Sequence, residues 1–156
     1  MYFIGIDISK FKHDCSVIDD FGEIVTPSWS FTNDSEGFAQ LKILLDSLDA
    51  ETRIGLESTG HYGMNLKLYL ESNNFSFMEF NPLLINRFVK SKSLRKTKND
   101  SIDCMMIARY LMTVEYKPYP PLLYHIEKLK SLTRFRDSLI RLRSRQLVEL
   151  TNILDK

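Results

Sequence analysis

Two aspartates three residues apart, Asp100 and Asp103, open the apolar run of KTKNDSIDCMMIARYL (residues 96–111), directly after a cluster of cations. On a helix of about 3.6 residues per turn both share a side with Cys104, Ile107 and Leu111, while Arg109 points the other way. A helix start favours acids, because they complement the positive end of the macrodipole and cap free N–H groups. That accounts for Asp100. It does not account for Asp103, one turn along the inward side, where a carboxylate buried without a positive partner is costly. Two further acids close short apolar runs, Asp7 in YFIGID and Glu57 in RIGLE.

Carboxylates gathered within a few ångströms do not all ionise unless cations lie between them. Hard divalent ions answer that need, and Mg²⁺, with Mn²⁺ as its substitute, takes one or two carboxylates per ion while keeping water and substrate phosphate as further ligands. Two such ions, roughly 3.5–4 Å apart, would activate the attacking oxygen and stabilise the leaving one in phosphodiester displacement. In that scheme Asp7 bridges the ions, Glu57 and Asp100 hold one each, and Asp103 completes a ligand shell or orients a metal-bound water. Zinc fits poorly, since His13, His61 and His125 have no paired ligand spacing. His61, beside Glu57 in ESTGHYG, either orients a water or is structural; Tyr62 either stacks on a base or anchors a helix start. A phosphate-binding G-x-x-x-x-G-K-[ST] loop and a G-x-S-x-G nucleophile elbow are both absent.

The elements that must position these acids follow from the apolar spacing. Residues 2–7, 13–19 and 23–31 read as three strands, the last two a hairpin around DDFG. NDSEGFAQLKILLDSL (33–48) starts a helix with Asn33 and, three residues on, Glu36, in the manner of a capping box. Then come a strand at 53–57, a helix at 62–72, a strand at 75–80 and a helix from Pro82 to about Val89, with Pro82 as its first residue. The order βββαβαβα predicts an α/β fold, a mixed five-stranded sheet with helices on its faces. Strand one and RIGLE become parallel central neighbours, so Asp7 and Glu57 lie at the carboxyl edge where ligand sites gather. The helix bearing Asp100 and Asp103 can cross that edge.

After a proline-rich break, KPYPPL, residues 125–156 form a long amphipathic helix with Ile126, Leu129, Leu132, Leu139, Leu142, Leu147, Leu150 and Ile153 on its apolar side. It is expected to project as a hairpin or dimeric coiled coil. The domains expected are therefore 1–116, a break at 117–124, and a basic helix at 125–156. That helix stops without a capping signal, and the sequence is expected to continue in a larger protein.

The net charge of +1 conceals a division, with 13 acids and 5 Lys/Arg in residues 1–80 against 7 and 16 in the remainder. Lys90, Lys92, Arg95, Lys96 and Lys98 precede the acid pair, and Arg134, Arg136, Arg141, Arg143 and Arg145 punctuate the last helix. These cations are candidate nucleic-acid contacts, holding a phosphate backbone near the acids. The alternatives are a solvated loop and helix face, or attraction between the two halves. Two distant cysteines, Cys15 and Cys104, give no disulfide framework. With neither a signal peptide nor a membrane span, a cytoplasmic protein is expected.

GIDISK with Asp7, ESTGHY with Glu57, NP at Asn81 and Pro82, and KTKNDSIDCMMIARYL with Asp100 and Asp103 together resemble the amino-terminal DEDD domain of transposases of the insertion-sequence 110 family, whose relatives include pilin-gene inversion recombinases. The resemblance spans about residues 2–150. It implies a RuvC-like, ribonuclease-H-type fold, Mg²⁺-dependent recombination of DNA, a non-coding bridge RNA as partner, and a coiled coil after the catalytic domain that favours a homo-oligomer. It also implies a nucleophilic serine on a carboxyl-terminal domain, outside these residues. Cys104 stands where the family has alanine, a small and buried exchange. The rival expectations are a stand-alone resolvase of RuvC type, a non-catalytic RNA-binding and dimerisation module, and half of an actin-like ATPase, which lacks its second glycine-rich phosphate loop here.

Overall fold

The computed structural model describes residues 1–58, 60–92, 100–120 and 124–155, without the side chains of 92, 100–102, 124, 125, 127 and 128. Along the chain run β1 (Tyr2–Ile8), β2 (Lys12–Asp19), β3 (Ile24–Thr32), α1 (Ser35–Ser47), β4 (Thr52–Glu57), α2 (Met64–Ser72), β5 (Phe77–Phe80), α3 (Pro82–Lys92), α4 (Asp100–Thr113) and α5 (Tyr124–Leu154). The five strands form one mixed sheet in the order β3-β2-β1-β4-β5. β1 pairs antiparallel with β2 and parallel with β4, and so holds the centre. Pro27 sits in β3, an edge strand with register shifts against β2, where a missing N–H is tolerated.

Strand alternation gives the sheet two buried faces. Phe3, Gly5 and Asp7 of β1 align with Ile18, Ser16 and Asp14 of β2 on the face crossed by α4. There Phe3, Ile18, Phe80, Ile85, Ile107, Ala108 and Leu111 make a continuous core. Gly5 is required by that crossing, because a Cβ would stand 2.0 Å from the Cys104 carbonyl oxygen and 2.5 Å from the Ala108 nitrogen. The helix backbone lies directly on the strand. The opposite face carries Ile4, Ile6 and Ile8, with His13 and Phe31 against the Phe38 ring of α1. Lys67 of α2 and Glu79 of β5 form a buried ion pair at 2.5 Å on that second face. Such a pair fixes register more than it adds stability.

Two helix starts show how capping is decided by competition. α1 is capped by Asp34, whose carboxylate accepts from the N–H groups of Glu36 and Gly37, rather than by Asn33 as expected. The Asn33 amide is already engaged, donating to the carbonyls of Lys10 and Tyr62. The Gly37 N–H above all, with the Thr32 hydroxyl, holds the Asp34 carboxyl below its ordinary pKa. At α3, Pro82 is the first helical residue and the Asn81 side chain accepts from the Leu83 N–H at 2.9 Å.

The chain forms two compact units, residues 1–120 and 121–156. Within the first, Tyr119 donates its N–H to the Phe77 carbonyl and stacks on the Phe77 ring, so the segment after α4 runs back along β5. The second unit is α5 itself, 31 residues long, or about 46 Å at 1.5 Å per residue. Its apolar stripe of Leu129, Leu132, Leu139, Leu150 and Ile153 is exposed. Among the described residues no helix is long and apolar enough to cross a membrane.

Two measurements test this packing. Gly5→Ala forces α4 off β1 and is expected to cost about 1–3 kcal/mol, the range for overpacking a core; urea denaturation reads it, and an unchanged midpoint would show the contact to be looser than described. His13 is fully buried with its Nδ1 accepting from the Ser9 N–H. Burial lowers its pKa, against smaller opposing effects of Asn33 and Asp14. The folded state therefore binds fewer protons than the unfolded one, whose imidazole titrates near pH 6.5. Stability from this group is complete above about pH 6.5 and declines below it. The thermal midpoint should fall from pH 7 to 5 in wild type and fall less in His13→Gln.

Candidate functional site

Asp7 is the sixth of the seven residues of β1, and Glu57 ends β4. The parallel register runs from Tyr2 opposite Thr52 to Ile6 opposite Leu56, and one further step sets Asp7 beside Glu57. Adjacent strands lie about 4.8 Å apart, so two half-buried carboxylates share the carboxyl edge of the central pair. By alternation both belong to the face of Gly5 and Gly55, the one on which α4 packs.

Helix α4 brings Asp103 to that face. Cys104 and Ala108 rest on Gly5, Ile107 and Leu111 lie against Gly55, and Asp103 stands half-buried in the first turn. Arg109 is exposed, on the side away from the sheet. The Cys104 thiol reports the local field: burial foremost pushes its pKa up, and the charges of Asp14 and Asp7 push it further, against the Ser28 hydroxyl to which it donates at 3.2 Å. Burial likewise raises the Cys15 thiol. Both cysteines therefore stay protonated near neutral pH and serve as packing.

Asp14 escaped the sequence reading. It lies directly across the β1–β2 ladder from Asp7 and is only 7% exposed. Its carboxylate accepts from the Ser30 hydroxyl and lies 3.7 Å from the Lys12 ammonium. The alternation of HDCSVID gives the look of a strand with one wet face; in the structure α4 covers the polar side and nearly the whole strand is buried. Only knowledge of that covering helix could have singled Asp14 out.

Asp7, Glu57 and Asp103 thus share one face and one edge, together with Asp14. The backbone of Asp100 opens α4, while its side chain lies outside the described residues. Among the described residues no group of three or more His, Cys, Asp or Glu side chains closes to metal-holding distance. The acids at this edge offer carboxylate oxygens, and His13 faces the other side of the sheet. Such a set suits a hard, oxygen-preferring divalent cation and suits zinc poorly.

The loop following Glu57 carries exposed His61, its ring 4.2 Å from that of Tyr62. Of the candidate nucleic-acid contacts, Lys90 is exposed at the end of α3. Arg95, Lys96, Lys98 and the side chain of Lys92 lie outside the described residues. Arg134, Arg136, Arg141, Arg143 and Arg145 are exposed along α5, with Arg136 3.5 Å from Asp137.

Residues 4–156 match the model of a transposase family, the DEDD domain of insertion-sequence 110 transposases. The pilin gene-inverting protein of Moraxella bovis is 32% identical over 111 residues, which make up 69% of this chain and 33% of that protein. Its counterpart from Moraxella lacunata is 32% identical over 112 residues, with the same coverage. The chain therefore spans about a third of the length of these relatives. In fold it is similar to Thermus thermophilus RuvC in complex with a Holliday junction substrate, with a TM-score of 0.56 and 11% identity over 76% of this chain and all of that one. A second Thermus thermophilus RuvC structure gives 0.55 and 12% over the same shares. With the four-acid order of the sequence and the RuvC-like sheet in agreement, the chain belongs to the insertion-sequence 110 transposase family through its DEDD domain.

Proposed function

We propose that this chain is the nuclease part of a DNA transposase or recombinase, in which Asp7, Glu57, Asp100 and Asp103 hold divalent metal at the carboxyl edge of β1 and β4. The observation that carries this reading is the placement of Asp7 beside Glu57 on the face crossed by the acid-bearing start of α4. Bound there, Mg²⁺ or Mn²⁺ would supply Lewis-acid activation of a phosphodiester. The protein's own part is to fix the carboxylates on rigid strands and to set the first turn of α4 over them. The family resemblance assigns the nucleophilic serine to a carboxyl-terminal domain, and no serine among these residues is given that role. Donor and target DNA are selected by a non-coding bridge RNA, and the protein works where that DNA is, in the cytoplasm. The apolar stripe of α5 joins copies as a coiled coil, and the arginines of α5, with the lysines before α4, hold nucleic-acid phosphates.

Calorimetric titration of Mn²⁺ tests the shared site. Wild type is expected to bind, and Asp7→Asn and Asp103→Asn, each verified as folded, are expected to bind at least about tenfold more weakly, since each removes a charged ligand. Unchanged affinity in both variants would overturn the site. The basic helix makes a separate claim on salt dependence. Replacing Arg141, Arg143 and Arg145 with glutamine should weaken DNA binding and make the slope of log K against log salt shallower by about 2–3, at about 0.9 per lost phosphate contact. An unaltered slope would remove these arginines from the interface.

A further inference from the structure

The edge that carries the acids also carries an aromatic tip on the turn between β1 and β2. Phe11 is 75% exposed, and the Lys10 ammonium lies 4.8 Å from its ring centre. A single exposed phenylalanine is unremarkable in itself, but the backbone beneath this one is tied down at several points. The Phe11 carbonyl accepts from the Asn33 N–H at 2.9 Å, and the Lys10 carbonyl from the Asn33 side-chain amide at 3.2 Å. The Ser9 hydroxyl donates to the Lys12 carbonyl, and the Ser9 N–H to His13. The same Asn33 amide donates to the Tyr62 carbonyl at 3.1 Å. One side chain thus joins the turn that follows Asp7 to the loop that follows Glu57.

Charge distinguishes this turn from the rest of its acidic surroundings. Of the five cations in residues 1–80, Lys42 pairs with Asp46, Arg53 with Glu51, and Lys67 is buried against Glu79. The other two, Lys10 and Lys12, flank Phe11; Lys12 pairs with Asp14 at 3.7 Å and approaches the Ser30 hydroxyl at 3.5 Å, with its side chain still 55% exposed. An exposed aromatic face between two cations, on a braced backbone four residues beyond a nuclease acid, has the chemistry of a base-stacking contact with phosphate neighbours.

We propose that Phe11 stacks on an unpaired nucleobase of the strand held at the acid edge, with Lys10 and Lys12 contacting its phosphates. The inference rests on reading that edge as a nucleic-acid site and adds a preference for unpaired over duplex DNA, because only a base outside the helical stack offers its face.

The test uses the 156-residue chain, Ca²⁺ to hold DNA without cleavage, and a fluorescent single-stranded oligonucleotide beside its duplex, read by anisotropy. Phe11→Ala and Phe11→Leu should keep the wild-type thermal midpoint, the ring being exposed, yet bind the single strand about tenfold more weakly, near the lower end of what a stacked base contributes. Phe11→Trp should bind it as well as wild type or better, and duplex affinity should stay within about twofold in all three. Full single-strand affinity in Phe11→Ala or in Phe11→Leu overturns the proposal and leaves the nucleic-acid reading intact. An equal loss on duplex and single strand does the same. Failure of wild type to bind either form overturns the nucleic-acid reading, and the proposal with it.

Discussion

The backbone of α4 lies on the backbone of β1 at Gly5, and the acid edge depends on that contact. The Cys104 carbonyl and the Ala108 nitrogen occupy the space a side chain would fill. A helix seated this closely is fixed in height over the sheet, and Cys104, Ile107, Ala108 and Leu111, all fully buried, fix its rotation. Asp103 precedes Cys104, so the packing of α4 on the sheet helps to set its position. This is how a rigid core can hold a charged residue at a defined place without using binding energy to order it.

The strand pairing at the same edge creates an electrostatic burden. Asp7 faces Asp14 across one ladder and stands beside Glu57 across the other, and like charges directly opposite on strands are destabilising. Ser30 and Lys12 relieve Asp14. A divalent cation bound to the native arrangement and not to the unfolded chain would add stability by mass action. With metal at the proposed site, metal affinity and fold stability would be coupled through the same carboxylates.

How much of this was legible in the sequence depends on whether a residue's role is local or tertiary. Asp7 and Glu57 could be placed because each ends an apolar run, and the order of elements makes those runs parallel neighbours. The inward side of α4 followed from helical spacing alone, with Cys104, Ile107 and Leu111 buried and Arg109 exposed. Asn33 was assigned to the cap of α1 because its spacing to Glu36 is right, but an amide that can bind two distant carbonyls serves there instead, and Asp34 takes the cap. Asp14 was hidden for a related reason: a polar residue alternating with apolar ones looks solvated until a helix is laid over it. Lys67 and Glu79, twelve residues apart on different elements, leave no local signal of their pairing at all.

The partition of charge agrees with the role proposed for the acid edge. On the proposed reading, a site built from carboxylates repels phosphate until metal is bound, so attraction of a nucleic-acid strand would come from elsewhere on the chain. Most of the Lys and Arg residues accordingly fall after residue 80, outside the strands that form the edge. Cations placed among the ligands themselves would compete with a metal for the same oxygens, and the Lys12 ammonium already lies 3.7 Å from the neighbouring Asp14 carboxylate. The Lys10–Phe11–Lys12 segment follows the last residue of β1 and sets an exposed, uncharged ring between two cations, of which Lys12 reaches back to Asp14.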